Sequence, residues 1–197
     1  MKEMLIILVS AILVDNFVLS KFMGCCPFLG VSKKVSSAFG MSVAVTFVML
    51  MATAVTYPIY TLQLAPNGLE YMQTIVFILV IALFVQLVEL ILKRFVVSLY
   101  RALGVYHALI TTNCAVLGVT LLNITNEYTF AQSMVNALGA GLGFMLAMLL
   151  FSGVRQKLET CNVPKAFQGV PITLIAASIV SMAFLGFGGI VEGMFGA

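Results

Sequence analysis

The stretch Cys26-Pro27-Phe28-Leu29-Gly30-Val31 recurs in altered form as Cys114-Ala115-Val116-Leu117-Gly118-Val119. The two copies agree at four of six positions, C-x-x-L-G-V, and they begin 88 residues apart in a chain of 197. Because this spacing is close to half the chain, it predicts a duplicated unit with one cysteine at the equivalent place in each half. We take residues 1–96 as the first repeat and residues 97–197 as the second.

The composition predicts an integral membrane protein. Hydrophobic residues make up 62% of the chain and charged residues 9%, with a mean hydropathy of +1.15, whereas soluble domains carry about 25% charged residues. The net charge of +3 is small and scattered along the chain, so we do not expect nucleic-acid binding. The four cysteines also lack the spacing of a disulfide framework.

Apolar runs bounded by charged or turn residues predict six transmembrane helices in a single membrane domain, and hence an all-α polytopic membrane protein. The six spans are residues 4–31, 39–57, 74–92, 103–124, 130–152 and 170–191. Gly139 and Gly143 in the fifth span form a small-x-x-x-small pattern, which predicts a helix-packing surface.

Spans one and four are predicted to be interrupted helices. The first is too long for one simple crossing, and Gly24, Pro27 and Gly30 are residues that interrupt or weaken a helix. The fourth carries Thr111-Thr112-Asn113 directly before Cys114. Polar side chains of this kind satisfy the backbone groups that a break leaves free.

The basic residues predict the orientation of the chain in the membrane. Eight of the ten Lys and Arg residues fall in the first, third and fifth loops, with Arg155 counted in the fifth. The even loops hold Glu70 and Glu127 and neither Lys nor Arg. Because cytoplasmic loops carry an excess of Lys and Arg, we expect the odd loops to be cytoplasmic and both termini to face outward.

Three spans in each half have a geometric consequence. An odd number of crossings inverts the second repeat relative to the first, about a pseudo-two-fold axis in the membrane plane. Inverted repeats of this kind often build a central site from interrupted helices near the bilayer midplane. The two repeated cysteines would then lie near the axis, at equivalent depth.

Two interpretations of Cys26 and Cys114 stay open on these grounds. A cysteine buried in a membrane is most often a small packing residue. Thiolates are also suitable ligands for zinc and for iron–sulfur clusters, and a [2Fe–2S] cluster normally takes four of them. The pair would then be half of a site, completed by another copy or a related subunit. Cys25 lies outside the repeat and is expected to pack, and Cys161 is expected to be incidental.

Two acidic residues within the predicted spans are candidates for an ion pathway. Asp15 lies about eleven residues into span one, where an ionised carboxylate is costly. It is either a coupling-ion or proton site, with Asn16 beside it, or a carboxyl that is protonated or bonded to another subunit. Glu89 either contributes to the pathway or pairs with Lys93, four residues later on the same helix. Lys21 is expected to extend its amine toward the interface.

Two classes of function are compatible with this composition, topology and symmetry. One is a redox subunit that holds half of an intramembrane iron–sulfur cluster. The other is a small secondary transporter with inverted repeats, whose broken helices bind a substrate or an ion. Cysteines at the repeat centres favour the redox subunit, because a carrier is expected to have polar or charged residues there.

Several stretches carry a family resemblance. Residues 22–34, FMGCCPFLGVSKK, resemble the signature F-L-G-x-C-P-F-x-G-V-S-K-K, and residues 109–118 resemble L-I-T-T-N-C-A-V-L-G. Shorter matches lie at residues 85–89, 99–104 and 183–189. Together they resemble the family of membrane subunits that includes the A subunit of the Rnf electron-transport complex. The same family includes the E subunit of the sodium-pumping NADH:quinone reductase, Nqr. The C-P-F and T-T-N-C forms favour the Rnf A type, with the Nqr E type as the alternative.

The resemblance implies a ligand set. Cys26 and Cys114 would bind iron of one [2Fe–2S] cluster, shared with a homologous six-helix subunit of the Rnf E type that packs in inverted orientation. Cys25 is a less favoured substitute for Cys26, because the family cysteine directly precedes Pro-Phe.

The resemblance also implies an assembly and an activity. The complex would be an ion-translocating ferredoxin:NAD oxidoreductase of the bacterial cytoplasmic membrane, coupled to Na⁺ or H⁺. Other subunits, of the B, C, D and G types, would carry the flavins and the remaining clusters. Neither a flavin nor an independent catalytic site is therefore expected on this chain, which would be embedded in the lipid bilayer.

Overall fold

A computed structural model describes residues 2–32, 35–66, 68, 70–95 and 113–195 of the chain. The secondary structure of these residues is helical, without strands. Their α-helices are α1 (Lys2–Leu13), α2 (Cys25–Val31), α3 (Val35–Ile59), α4 (Gln73–Phe95), α5 (Cys114–Thr125), α6 (Phe130–Glu159) and α7 (Val170–Phe195). A π-helical turn, Tyr60–Leu64, extends α3, and short 3₁₀ helices at Glu70–Met72 and Lys165–Phe167 precede α4 and α7.

Two helices of the described segments are long and apolar enough to cross a membrane. They are Val35–Leu64 and Phe130–Glu159, each of 30 residues, against the roughly 20 that a bilayer requires. Shorter apolar helices cover Met4–Leu13, Gln73–Leu87, Cys114–Thr125 and Val170–Gly186. Apolar side chains stand exposed at every fourth position of α3, at Phe39, Val43, Phe47 and Met51, as expected for a helix that faces lipid or a partner.

Helices α3, α4, α6 and α7 coincide with predicted spans two, three, five and six. The predicted starts at 130 and 170 agree with the structure, whereas each helix continues past its predicted end. Helix α6, for example, runs on through Arg155 and Lys157. The difference arises because a charged side chain ends a hydrophobic run without breaking the backbone hydrogen bonds of a helix.

The first predicted span is interrupted, and of the three residues predicted to interrupt it only Gly24 lies in the break. Helix α1 ends at Leu13 and α2 begins at Cys25, so the break covers residues 14–24. Gly24 closes it with a left-handed φ of 84°, whereas Pro27 and Gly30 lie inside α2. Pro27 is tolerated because the first turn of a helix has no intrahelical acceptor for the N–H that proline lacks.

Asn16 holds this break together. Its Oδ1 accepts hydrogen bonds from the backbone N–H groups of Val18 (3.1 Å) and Leu19 (3.3 Å). Its Nδ2 donates to the carbonyl oxygens of Ile12 (3.2 Å) and Gly143 (2.9 Å). Both ends of this fully buried amide are thus engaged with the backbone, where they replace helical hydrogen bonds lost in the break. These four hydrogen bonds join the break to α1 and α6.

Helix α6 is the centre of the fold, and its glycines allow two other helices to approach closely. A Cβ atom on Gly139 would lie 2.9 Å from Cβ of Ala11 in α1. A Cβ atom on Gly143 would lie 3.0 Å from the Ala11 carbonyl oxygen, and one on Gly141 would lie 2.5 Å from Cγ2 of Thr46 in α3. These contacts confirm the packing surface predicted from the glycine spacing.

Candidate functional site

Both copies of the repeated pattern begin a helix at a cysteine. Helix α2 starts at Cys25, with Cys26 next, and α5 starts at Cys114. The residue before α2 is Gly24, in the left-handed region. The residue before α5 is Asn113, which is extended, with φ −77° and ψ 111°. The rest of predicted span four before Asn113 lies outside the described residues, including the two threonines at 111 and 112.

The two helix starts are in contact with each other. A Cβ atom on Gly24 would lie 3.1 Å from Oδ1 of Asn113 and 3.2 Å from Cβ of Ala115. The structure therefore brings together the starts of the two cysteine helices, whose repeated cysteines are 88 residues apart in the chain.

Phe144 places this contact at the middle of α6. The same Cβ position on Gly24 lies 3.1 Å from Cε2 of Phe144, a residue fourteen positions after Phe130 and fifteen before Glu159. At about 1.5 Å per residue, Phe144 is about 21 Å from either end of the helix. Because α6 is long and apolar enough to cross a membrane, the cysteine helices begin near its mid-depth.

Arg155 holds the far end of α2. Its Nη1 donates hydrogen bonds to the carbonyl oxygen of Leu29 (2.5 Å) and to Oγ of Ser32 (2.8 Å). A cation at this position also interacts favourably with the partial negative charge of a helix C-terminus. From the sequence alone Arg155 is counted in a loop, whereas the structure shows it as a half-buried residue of α6. Only the contact across 126 residues reveals its role.

Asn136 holds the far end of α5. Its Nδ2 donates to Oδ1 of Asn123, 2.7 Å away, and both residues are buried. Asn136 lies eight residues before Phe144 in α6, whereas Arg155 lies eleven residues after it. Helices α2 and α5 therefore leave the level of Phe144 in opposite directions along α6.

The cysteines of the site are free and exposed. Cys25, Cys26 and Cys114 all reach the molecular surface, although the neighbouring Gly24 and Asn113 are buried. The prediction that Cys25 packs is therefore wrong for this chain by itself. Over the described segments, no group of three or more His, Cys, Asp or Glu side chains is arranged to hold a metal ion. Cys161 lies apart, with its Sγ near the carbonyl oxygen of Lys157 (3.3 Å).

An unpartnered donor lies on the residue directly before Cys114. Asn113 is 5% exposed, and its Oδ1 accepts a hydrogen bond of 3.0 Å from the Ala115 N–H. Its Nδ2 is buried without a hydrogen-bond partner. Two free thiols next to an unsatisfied N–H fit a thiolate-bound iron–sulfur group, whose sulfur atoms accept hydrogen bonds.

The environment of Asp15 differs from the prediction. Its side chain is 51% exposed, and its Oδ1 lies 3.2 Å from Nζ of Lys21. Its Oδ2 accepts a hydrogen bond from Ser10 Oγ at 3.2 Å, while Lys21 Nζ lies 5.4 Å from the ring centroid of Phe17. This pairing of Asp15 with Lys21 was not predicted from the sequence. The two residues pair because both lie within the break between α1 and α2.

A cavity of about 40 Å³ adjoins this ion pair. Its other walls include Asn126, Tyr128 and Asn136, from the end of α5 to α6. Such a volume accommodates a water molecule. The second candidate for an ion pathway, Glu89, belongs to α4, but its side chain lies outside the part of the chain that the structure describes. Its predicted roles therefore stay predictions.

Comparison with known proteins gives one family over most of the chain. A family model described as "Rnf-Nqr subunit, membrane protein" matches residues 4–191, a range that includes both cysteine motifs. The A subunit of the Na(+)-translocating ferredoxin:NAD(+) oxidoreductase complex of Acetobacterium woodii is 59% identical over 186 residues, which are 94% of this chain and 97% of that protein. The A subunits of the ion-translocating oxidoreductase complexes of Syntrophotalea carbinolica and Aliivibrio salmonicida are 54% and 49% identical. Each alignment covers 98% of this chain and 100% of the relative.

Proposed function

This chain belongs to the Rnf-Nqr family of membrane protein subunits, and we propose that it is the A subunit of an ion-translocating ferredoxin:NAD oxidoreductase complex. The relatives that carry this description are 49–59% identical and align over nearly their whole length. Their names favour the Rnf A type over the Nqr E type. The complex would reside in the bacterial cytoplasmic membrane and move Na⁺ or H⁺, with further subunits of the B, C, D and G types.

Within this complex, Cys26 and Cys114 would be two of the four thiolate ligands of a [2Fe–2S] cluster. The main support for this assignment is that α2 and α5 begin in contact with each other at the level of Phe144. The thiols at these two helix starts are exposed. Cysteines used only for packing would be buried within the chain, whereas exposed thiols at mid-depth suit a site that a second protein completes. When bound, such a cluster supplies a one-electron carrier within the hydrocarbon layer.

The other ligands would come from a homologous six-helix subunit packed in inverted orientation. The opposite directions of α2 and α5 along α6 support the same inversion within this chain. On this proposal residues 1–96 and 97–197 are inverted three-helix repeats that make six spans, with both termini on the outer face.

The residues of this chain would position the ligands and exclude water. Gly24 and Asn113 determine where α2 and α5 begin. Phe144 and Ala115 are buried against Gly24 and close the site toward the interior of the chain. Restricted hydration of this kind is one of the factors that set the potential of an iron–sulfur group.

The test is electron paramagnetic resonance (EPR) of the purified complex. Cys26→Ala or Cys114→Ala should each remove the reduced [2Fe–2S] signal, because each would remove one iron ligand. Cys161→Ala is the matched control and should retain the signal. Cys25→Ala should also retain it, because the repeat aligns Cys26 with Cys114. A full signal in both ligand variants would overturn the assignment.

Iron content distinguishes the redox subunit from a secondary transporter. We expect iron to copurify with this chain when the homologous subunit is present and to be missing when the chain is purified alone. A complex that transports an ion or solute without bound iron would favour the transporter.

For the ion pathway, Asp15 is the candidate that the structure supports better. It adjoins a polar cavity in the break between α1 and α2, and Glu89 is the second candidate. Asp15→Asn should reduce sodium- or proton-dependent generation of a membrane potential while the complex still transfers electrons. An unchanged membrane potential in both Asp15→Asn and Glu89→Gln would leave these residues a structural role only.

A further inference from the structure

We propose that Asn113 donates a hydrogen bond from Nδ2 to a sulfur atom of the iron–sulfur group held by Cys26 and Cys114, and thereby raises its reduction potential. This inference rests on the cluster site proposed above. It adds a residue that binds no iron and instead sets the energy of the electron at the site.

The orientation of the Asn113 amide follows from its own hydrogen bond. The Ala115 N–H lies 3.0 Å from the side chain, and an N–H group requires an oxygen acceptor rather than a second donor. The oxygen of the amide must therefore face Ala115. Its NH₂ group is left to face elsewhere, and the two positions cannot be exchanged.

The NH₂ group has no acceptor among the described residues. Its nitrogen is buried and unpartnered, a condition that folded proteins rarely leave uncompensated. The other unpartnered buried groups of the described chain are the hydroxyls of Thr53, Ser133 and Ser152. A hydroxyl inside a helix can rotate toward the carbonyl four residues earlier, but the capping amide of Asn113 has no such freedom.

The location of this donor relates it to both cysteines. Asn113 directly precedes Cys114, and its Oδ1 lies 3.1 Å from the position of a Cβ atom on Gly24, two residues before Cys26. The amide is thus enclosed between the two helix starts. Sulfur of a thiolate or sulfide is the acceptor that a group bound to both cysteines would place here.

The expected effect on the potential has a definite sign. Reduction adds one negative charge to the cluster, and a hydrogen-bond donor stabilises the more negative state. Removal of the N–H group should therefore make the cluster harder to reduce. A purely structural role of Asn113 would lower the amount of bound cluster and leave the potential of the remainder unchanged.

Two variants remove the donor and keep an N-cap. Asn113→Asp retains an oxygen for the Ala115 N–H and replaces the NH₂ group by oxygen, and Asn113→Ser is also a favourable N-cap residue. In the intact complex, each should shift the reduction equilibrium about tenfold toward the oxidised form, or about 59 mV for a one-electron couple. Asn113→Asp should shift it at least as far as Asn113→Ser, since it adds negative charge. Asn162→Asp, the same exchange at an exposed residue between α6 and α7, is the control and should shift it little.

A spectroscopic measurement does not depend on the assembly of the variants. With ¹⁵N-labelled asparagine, pulsed EPR of the reduced wild-type complex should show a ¹⁵N hyperfine coupling that persists in Asn162→Asp and is lost in Asn113→Ser. A [2Fe–2S] signal without this coupling, or an unchanged potential in both Asn113 variants, would overturn the role of Asn113. A wild-type complex without any [2Fe–2S] signal would instead overturn the proposed function on which this inference rests.

Discussion

Helices α2 and α5 begin with the same sequence pattern, but different chemistry holds them. Helix α2 follows a left-handed glycine and has no side-chain cap, whereas α5 follows an extended asparagine whose side chain caps it. The far end of α2 is held by the charge of Arg155, and the far end of α5 by the neutral amide of Asn136. Both of these residues come from α6.

The difference shows which features the site requires. Both helices must begin at the level of Phe144 and run in opposite directions. A break before each helix allows this when the backbone groups that it frees find hydrogen-bond partners. Gly24 is needed where the second helix start approaches, and Asn113 is suitable where a backbone N–H requires an acceptor. At seven residues, α2 is too short to be stable alone, so its ends must be held by tertiary contacts.

The largest effect on stability is expected from a substitution at the start of α2. Gly24→Ala places a Cβ at a φ of 84°, within 3.1–3.2 Å of three neighbouring atoms. Backbone strain and crowding together should lower the free energy of unfolding by about 3 kcal/mol, measured by denaturant unfolding in detergent micelles. Gly40→Ala in α3, where a Cβ would meet no atom within 4 Å, is the control. Equal stability of the two variants would show that the approach of α2 to α5 is not what requires glycine.

A smaller effect is expected at the far end of α2. Arg155→Met removes the hydrogen bonds to Leu29 and Ser32, and hydrogen bonds to charged groups contribute about 1.5–3 kcal/mol. Because Arg155 is only half-buried, we expect a loss of about 1.5 kcal/mol. Lys157→Met, at an exposed position of the same helix, should change stability little. A similar small change in both variants would remove the distinction drawn between the two helix ends.

The smallest effect is expected at the far end of α5, and a double-mutant cycle sharpens the comparison there. Asn136→Ala leaves Oδ1 of Asn123 without its 2.7 Å donor, and the loss should be about 1 kcal/mol. Asn123→Ala should cost a similar amount, and the double variant less than the sum, because both changes remove one bond. Additive losses would mean that the two amides stabilise the fold separately.

Several helix boundaries were accessible from the sequence because local chemistry sets them. Helix α6 begins where predicted, since Thr129 and Gln132 form a capping box, and α7 begins at its predicted residue as well. Of the residues predicted to break span one, only Gly24 lies in the break, because glycine and proline mark helix breaks only on average. The break also contains Asn16, whose Nδ2 donates to the carbonyl oxygen of Gly143, 127 residues away. No local pattern predicts that contact.

The candidate site, too, was predictable from the sequence only in part. The repeat identified Cys26 and Cys114 as a pair, and the polar run before Cys114 anticipated the capping by Asn113. No pattern in the sequence predicted the exposure of the thiols, the contact at Gly24 or the hydrogen bonds from Arg155 to the end of α2. Each depends on which surfaces of α2, α5 and α6 meet.

The sequence by itself determined that this is a helical membrane protein of the Rnf-Nqr family with one cysteine motif in each half. It did so because a hydrocarbon layer demands long apolar runs, and because a duplicated pattern remains visible in the residue order. Only the tertiary structure decided that the two helix starts meet at the middle of α6 and leave one buried N–H without an acceptor. The physical reason is that helices in a largely uniform apolar sequence are positioned by a few close approaches and buried polar contacts between residues far apart in the chain.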